Sequence, residues 1–244
     1  MVRVAICYWG MTRSVRIIHD AHKNQIFDIF KNNQVEYDVY MHTWKTPQNF
    51  IWGVDWNSTR NIPNDYNEYR LLNPSYYEID EQDEFLNTVN FSNYFKQELY
   101  DTYGDHPDYE WRPELIRNMI CALESQKRVT QMCIDSQKKY DFVLYIRPDV
   151  DIYTPFLLEW FDLVKPGEIA LTNESYRHFE GYNDKFALIR FDDCKLYSNR
   201  LDWLKSYRDT KGRIVAEKYL KYIVEKNFSN VHFVNMTVRL IRPQ

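Results

Sequence analysis

The five residues FVLYI at positions 142–146 constrain the fold more than any other stretch of the chain. The run is short, uniformly apolar and partly β-branched. That pattern fits a strand buried on both faces at the centre of a parallel sheet. Such a strand needs a covering layer on each side, and the clearest helix of the sequence comes just before it. Over 114–139, Ile116, Met119, Ile120, Leu123, Val129, Met132 and Cys133 fall largely at three- and four-residue intervals. Residues 2–9 (VRVAICYW) and 37–44 (YDVYMHTW) read as strands. Between them, Val15, Ile18, Ile26, Ile29 and Phe30 mark an amphipathic helix over 14–31. Strand, helix and strand at this spacing predict a parallel βαβ unit with a right-handed crossover.

Further strands are expected in EIALTN after the turn at 165–168, in KFALIRF at 185–191, and in the C-terminal VHFVNMTVRLI. Helices are expected at 192–206 and 213–226, with a polar helix at 81–100 and a loop after it containing Tyr103, Gly104 and Pro107. Residues 45–80 lose periodicity and are rich in Asn, Pro, Tyr and Trp. They read as a long irregular segment, of a kind often functional in compact domains. The chain shows no internal repeat, low-complexity tract or domain boundary, so a single domain over 1–244 is expected.

Composition narrows the function classes. The formal net charge is −4, with Lys and Arg spread along the chain, which excludes the basic stripe of a nucleic-acid binder. Any anion site must therefore come from a few placed residues. Hydrophobic residues make up 44% and charged residues 27%, ordinary for a globular chain, and no apolar run is long enough for a transmembrane segment. The start, Met1 to Trp9, enters directly into a strand pattern without the features of a signal peptide, so a cytoplasmic location is expected. Cys7, Cys121, Cys133 and Cys194 are isolated and read as reduced, mostly buried thiols. The Asn-x-Ser/Thr triplets beginning at Asn57, Asn90, Asn173, Asn227 and Asn235 carry little weight in such a setting. Aromatics reach 17%, and they serve both as core filling and as flat platforms for sugar rings.

Asp149 and Asp151 follow immediately on the central strand. Open α/β sheets bind ligands beyond the carboxyl ends of their strands. Two carboxylates one residue apart can face one hard cation, Mn²⁺ or Mg²⁺, which in turn can bridge a diphosphate and stabilise a leaving nucleotide. The plain alternative is that the pair caps a turn. Arg147 is a fixed cation beside both, suited either to a salt bridge with them or to contact with a bound anion.

The stretch YDFVLYIRPDVDI resembles the DxD segment of GT-A-fold glycosyltransferases, above all a group from large algal viruses and bacterial polysaccharide gene clusters. Gly10-Met11-Thr12-Arg13-Ser14 is similar to that group's nucleotide-binding loop, YDVYMHTW to its second strand, and GYNDKF at 181–186 to its Asn-Asp-x-Phe segment. Glu217 resembles an acidic position on a late helix. The resemblance implies a GT-A-like α/β/α sandwich with a mixed, mostly parallel central sheet. It also implies a metal-dependent hexosyl- or pentosyltransferase of glycan biosynthesis. Its donor would be a nucleotide sugar (a UDP-sugar by family habit), its acceptor a glycan or glycoprotein, and its setting, for a viral protein, the host cytoplasm. On that basis Asp149, Asp151 and, as a third ligand near the C-terminus, His232 hold the metal. His232 also alternates with apolar neighbours, as a core-edge histidine would. Gly10, Thr12, Arg13, Arg117, Arg147 and Asp149 contact the nucleotide sugar. Arg13 reads equally as a surface residue at a helix start, and Arg117 and Lys127 as solvated. Asp184 contacts the acceptor or acts as general base, its alternative being a turn cap. Trp52, Trp56 and Tyr66 form an acceptor platform or pack under the long loop.

A haloacid-dehalogenase-type phosphatase also places Asp-x-Asp after a buried strand. Against it stand Tyr153 where a small residue is expected, the mid-chain position of the motif, and the short spacing to Lys185 and Asp192-Asp193. The residues are also compatible with a sugar-nucleotide or glycan-binding protein without catalysis, and with a metal-independent transferase that uses a lipid-linked donor.

Overall fold

β1 (Arg3–Trp9) opens the chain, and its side chains alternate between two cores. Val4, Ile6 and Tyr8 face one and Ala5, Cys7 and Trp9 the other. The computed structural model describes residues 1–46, 65–100, 113–173 and 180–241. After β1 come α1 (Val15–His22) and α2 (Asp28–Asn32), joined by a π-type stretch over Lys23–Phe27, so the expected helix runs through with one wide turn. β2 (Glu36–Lys45) pairs parallel with β1, completing the βαβ unit. β3 (Tyr76–Glu81) adds a parallel edge strand to β2, followed by α3 (Gln82–Thr88). α4 (Pro113–Asp135) then leads into β4 (Phe142–Ile146), every residue of which is buried.

The second half holds β5 (Val150–Ile152), α5 (Trp160–Leu163), β6 (Glu168–Thr172) and β7 (Phe186–Arg190). These are followed by α6 (Cys194–Ser198), α7 (Arg200–Lys211), α8 (Ala216–Asn227), β8 (Asn230–Val234) and β9 (Val238–Leu240). The main sheet has the order β3-β2-β1-β4-β7-β6-β8, while β5 and β9 form a separate antiparallel ribbon. β7 runs against β4 and β6, and the other pairings of the main sheet are parallel. This is the α/β/α sandwich with a mixed, mostly parallel sheet expected from the sequence. One face is covered by side chains of the first helices and α5, among them Val15, Ile26, Phe30 and Trp160. The other is covered by Val129 and Cys133 of α4, Tyr197 of α6, and Leu220 and Val224 of α8. All four cysteines are buried and unbridged. Among the described residues no helix is long and apolar enough to cross a membrane.

Several elements depart from the sequence reading. β3 lies inside the segment read as irregular, because YYEIDE is a half-exposed edge strand with neither alternation nor a continuous apolar run. β5 is only three residues long and carries Asp151 at its middle, so it gave no strand signal. The C-terminal run divides at 235–237, one half entering the main sheet and the other the ribbon. The polar helix at 81–100 stops at Thr88, where Val89 turns extended (φ −89°, ψ 119°) ahead of short 3-10 turns. Trp52 and Trp56, the loop with Tyr103, Gly104 and Pro107, and Asn57 lie outside the described residues.

Candidate active site

Three strands end at one cleft. β1 delivers Trp9 and the turn at Gly10, β2 delivers Trp44, and β4 delivers Arg147. The cleft encloses about 360 Å³, at the lower end of small-ligand sites. Its other walls come from α4 (Asn118, Met119, Ala122), the 182–185 segment, Arg200 and the start of α8 at Glu217. The turn out of β1 needs glycine: Gly10 has φ +99°, and its N–H donates to Ser125 Oγ at 2.8 Å. That hydroxyl belongs to a buried relay. Ser125 Oγ also lies 2.8 Å from His42 Nδ1, and His42 Nε2 lies 3.1 Å from Asp80 Oδ2. Burial pushes His42 down to about 4, only partly offset by Asp80, so the imidazole is neutral at physiological pH. The neighbouring Trp44 donates its indole N–H to the Cys121 carbonyl at 2.9 Å, fixing the ring at the cleft wall.

Asp149 is the electrostatic centre. It is 1% exposed and holds two guanidinium groups. Arg13 donates from Nε and Nη2 to Oδ2 at 3.0 and 2.6 Å, and Arg147 from Nε to Oδ1 and Nη2 to Oδ2 at 3.0 and 3.1 Å. Burial opposes the charge on Asp149, but Arg147 and Arg13 outweigh it and hold the carboxyl at about 2. Burial lowers Arg13 from its ordinary range, against the pull of Asp149. Both guanidiniums line the cleft, with Lys185 alongside. Arg147 also reaches Asp184, 3.7 Å from Nη1 to Oδ1, and its guanidinium carbon stands 5.6 Å from the centre of the Trp9 ring. The 182–185 segment is held at both ends. Tyr182 N–H donates to the Glu217 carbonyl at 3.1 Å, and Arg147 N–H to the Lys185 carbonyl at 3.2 Å. A Cβ at Gly181 would stand 2.1 Å from the Glu217 carbonyl carbon, so close approach to α8, rather than backbone conformation, requires glycine there.

The structure thus brings together Gly10, Arg13, Arg147 and Asp184 in the cleft, with Asp149 behind them. Thr12 is buried beside this loop and is not among the cleft-lining residues. Arg117, expected at the nucleotide sugar, is instead half-exposed and pairs with Asp83 at 3.5 Å, because it falls on the flank of α4 beside the face carrying Asn118 and Ala122. Lys127 likewise pairs outside the cleft, with Asp202. His232, expected at the metal, is on the edge strand β8, three places from β4, and lies 2.9 Å from Glu168 Oε2. The core-edge reading of this histidine matches that placement. Asp151 is half-buried in β5, where Val150 and Ile152 turn into the core and one carboxylate oxygen accepts the Ile152 N–H at 3.0 Å. Tyr66 donates to the Thr46 carbonyl just past the end of β2.

As folded here, the Asp149–Asp151 pair does not fit a metal. Both Asp149 oxygens accept guanidinium N–H groups, and a dication would sit beside two fixed cations. Among the described residues, His42, Glu78 and Asp80 bring ligand atoms within 4.8 Å of one another and could hold a divalent metal, although Arg128 also bonds to Asp80. Sequence reasoning missed Trp44, Arg200 and the Ser125 relay. His42 pairs with Glu78 only because β3 adds to β2, and β3 carries no periodic signal of its own.

No family model matches the chain, and no curated protein matches it. Among solved structures, the chain is similar to the apo-form glycosyltransferase GlyE of Streptococcus pneumoniae TIGR4, at 12% identity and a TM-score of 0.41. The match covers 94% of this chain and 45% of that one, so the chain spans less than half the length of that protein.

Proposed function

We propose that the chain is a glycosyltransferase whose cleft binds a nucleotide-sugar donor, a UDP-sugar by the resemblance of its DxD segment, and passes the sugar to a glycan acceptor. The observation that carries this reading is the pair of guanidiniums anchored on Asp149 and lining a cleft at the carboxyl ends of β1 and β4. A diphosphate is a polyanion with several acceptor oxygens, and forked guanidiniums match it in charge and geometry. Asp149 keeps both forks in place before the ligand arrives, so little ordering cost remains at binding. Arg13, Arg147 and Lys185 would then stabilise the charge that develops on the departing nucleotide.

Asp184 lines the same cleft, and we assign it to the acceptor hydroxyl, as general base where the reaction inverts. The resemblance also implies a divalent metal. Arg13 and Arg147 hold both oxygens of Asp149, and Asp151 stands opposite Arg239 in the β5–β9 ribbon, so no step of the proposal runs through a metal at this pair. A bound cation would supply further charge neutralisation at the diphosphate. A phosphatase using Asp149 as nucleophile is disfavoured by the same contacts, since both of its oxygens are engaged.

The test is calorimetric titration with UDP and UDP-glucose, with and without Mn²⁺, followed by a donor-hydrolysis assay. Binding that weakens about 10- to 100-fold in Arg13→Ala is expected, as for the loss of a charge-assisted fork. Unchanged affinity in that variant would overturn the assignment. Binding without turnover would make the chain a sugar-nucleotide binder.

A further inference from the structure

Arg200 is the first residue of α7, 2% exposed, and it reaches the cleft. Its Nη2 donates to Gln126 Oε1 at 2.6 Å, and its guanidinium carbon lies 4.4 Å from the centre of the Tyr197 ring. Among the described residues its Nε–H has no acceptor, and no carboxylate comes within ion-pairing distance of it. Two other well-buried arginines behave differently: Arg13 has Asp149 at 2.6 Å and Arg208 has Asp209 at 2.6 Å. A buried cation without an anion is strongly disfavoured unless something else supplies the charge. Gln126 and Tyr197 are neutral. They fix the plane of the guanidinium without balancing it.

Trp9, another residue of the cleft wall, also has a buried indole N–H with no partner among the described residues. A buried guanidinium with an unpaired N–H is matched by an oxygen-bearing anion. The diphosphate of the donor already has Arg13, Arg147 and Lys185. Asp184 and Glu217 also line the cleft, so a further dianion at Arg200 would face two carboxylates, whereas a planar monoanion matches one guanidinium edge.

We propose that Arg200 is a carboxylate-recognition residue, so that a sugar handled in the cleft is an acidic one of the uronic-acid class. The proposal rests on the reading of the cleft as a nucleotide-sugar site. The carboxylate belongs either to the transferred sugar or to the acceptor, and two arms of one titration series separate these sources. In the first arm, UDP-glucuronate is compared with UDP-glucose. In the second, methyl glucuronide is compared with methyl glucoside, each with and without saturating UDP.

The acidic member is expected to bind at least tenfold more tightly than its neutral twin in one arm, and that arm identifies the source. Arg200→Gln should bring the ratio close to one. Arg200→Lys, which keeps the charge but loses the planar fork, should reduce it several-fold, and it serves as the test if the Gln variant does not fold. UDP alone reports on the underlying reading. If UDP binds and neither arm shows a preference, the carboxylate assignment falls and the nucleotide reading stands. If UDP does not bind yet methyl glucuronide is preferred through Arg200, the reverse holds. If no acidic ligand is preferred, or the preference survives both substitutions, the assignment is overturned.

Discussion

Replacing Asp149 by Asn isolates the role assigned to it as the anchor of two guanidiniums. The substitution keeps the shape and one acceptor oxygen but removes the charge that balances Arg13 and Arg147. Four N–H contacts between 2.6 and 3.1 Å are affected. Breaking a buried ion pair from one side costs roughly 3–5 kcal/mol. The pKa shift produced by the same contacts points the same way. Asp149 is held at about 2 against an ordinary 3.8, which corresponds to roughly 2.5 kcal/mol of stability. The folded value is depressed, so this contribution is present above about pH 4 and is lost as the pH falls toward 2. A loss of about 3 kcal/mol at pH 7 is therefore expected for Asp149→Asn, or roughly 6–12 °C in Tm for a chain of this size. Urea denaturation at pH 7 measures it as a lower midpoint with an unchanged slope. In the variant the additional loss between pH 4 and pH 2 should also disappear. A loss below about 1 kcal/mol, with the acid limb unchanged, would refute the anchoring argument.

Burial holds both His22 and His42 at about 4, below the ordinary 6.5, so each contributes stability above pH 6.5 that is lost as the pH falls toward 4. Unfolding free energies from urea denaturation should drop across that window by roughly 3 kcal/mol per histidine, and a flat profile would contradict their burial as neutral rings. Gly181→Ala sets a Cβ 2.1 Å from the Glu217 carbonyl carbon, so about 1–3 kcal/mol of destabilisation is expected, together with weaker UDP binding in calorimetry as the 182–185 segment shifts. Leu144→Ala, at the centre of β4 with no exposure, should cost about 2–5 kcal/mol in the same denaturation assay, with UDP affinity retained in the folded fraction.

Much of the fold was legible because burial on both faces imposes composition directly. The apolar run FVLYI became β4, the alternation in VRVAICYW became β1 with its two cores, and the periodicity over 114–139 became α4. The turn residues Gly10, Arg13 and Arg147 were also readable, since ligands collect at strand ends and those positions follow strands. What the sequence by itself determined is therefore the sandwich and the strand ends that border the candidate cleft. It could not determine β3 or β5, whose residues carry no periodic signal and whose pairing partners lie dozens of residues away. Nor could it decide which partner each charge would meet. Asp149 reads as a metal ligand, and only the tertiary structure shows Arg13 meeting it across 136 residues of chain. His232 reads as a third ligand or a core-edge histidine, and only the strand order sets it beside Glu168. Arg200 carries no signal at all until α4, α6 and α7 converge on it and leave its charge without a counterion among the described residues. Periodicity is a local property of the chain, whereas electrostatic pairing depends on distance in space, and only the folded chain fixes that distance.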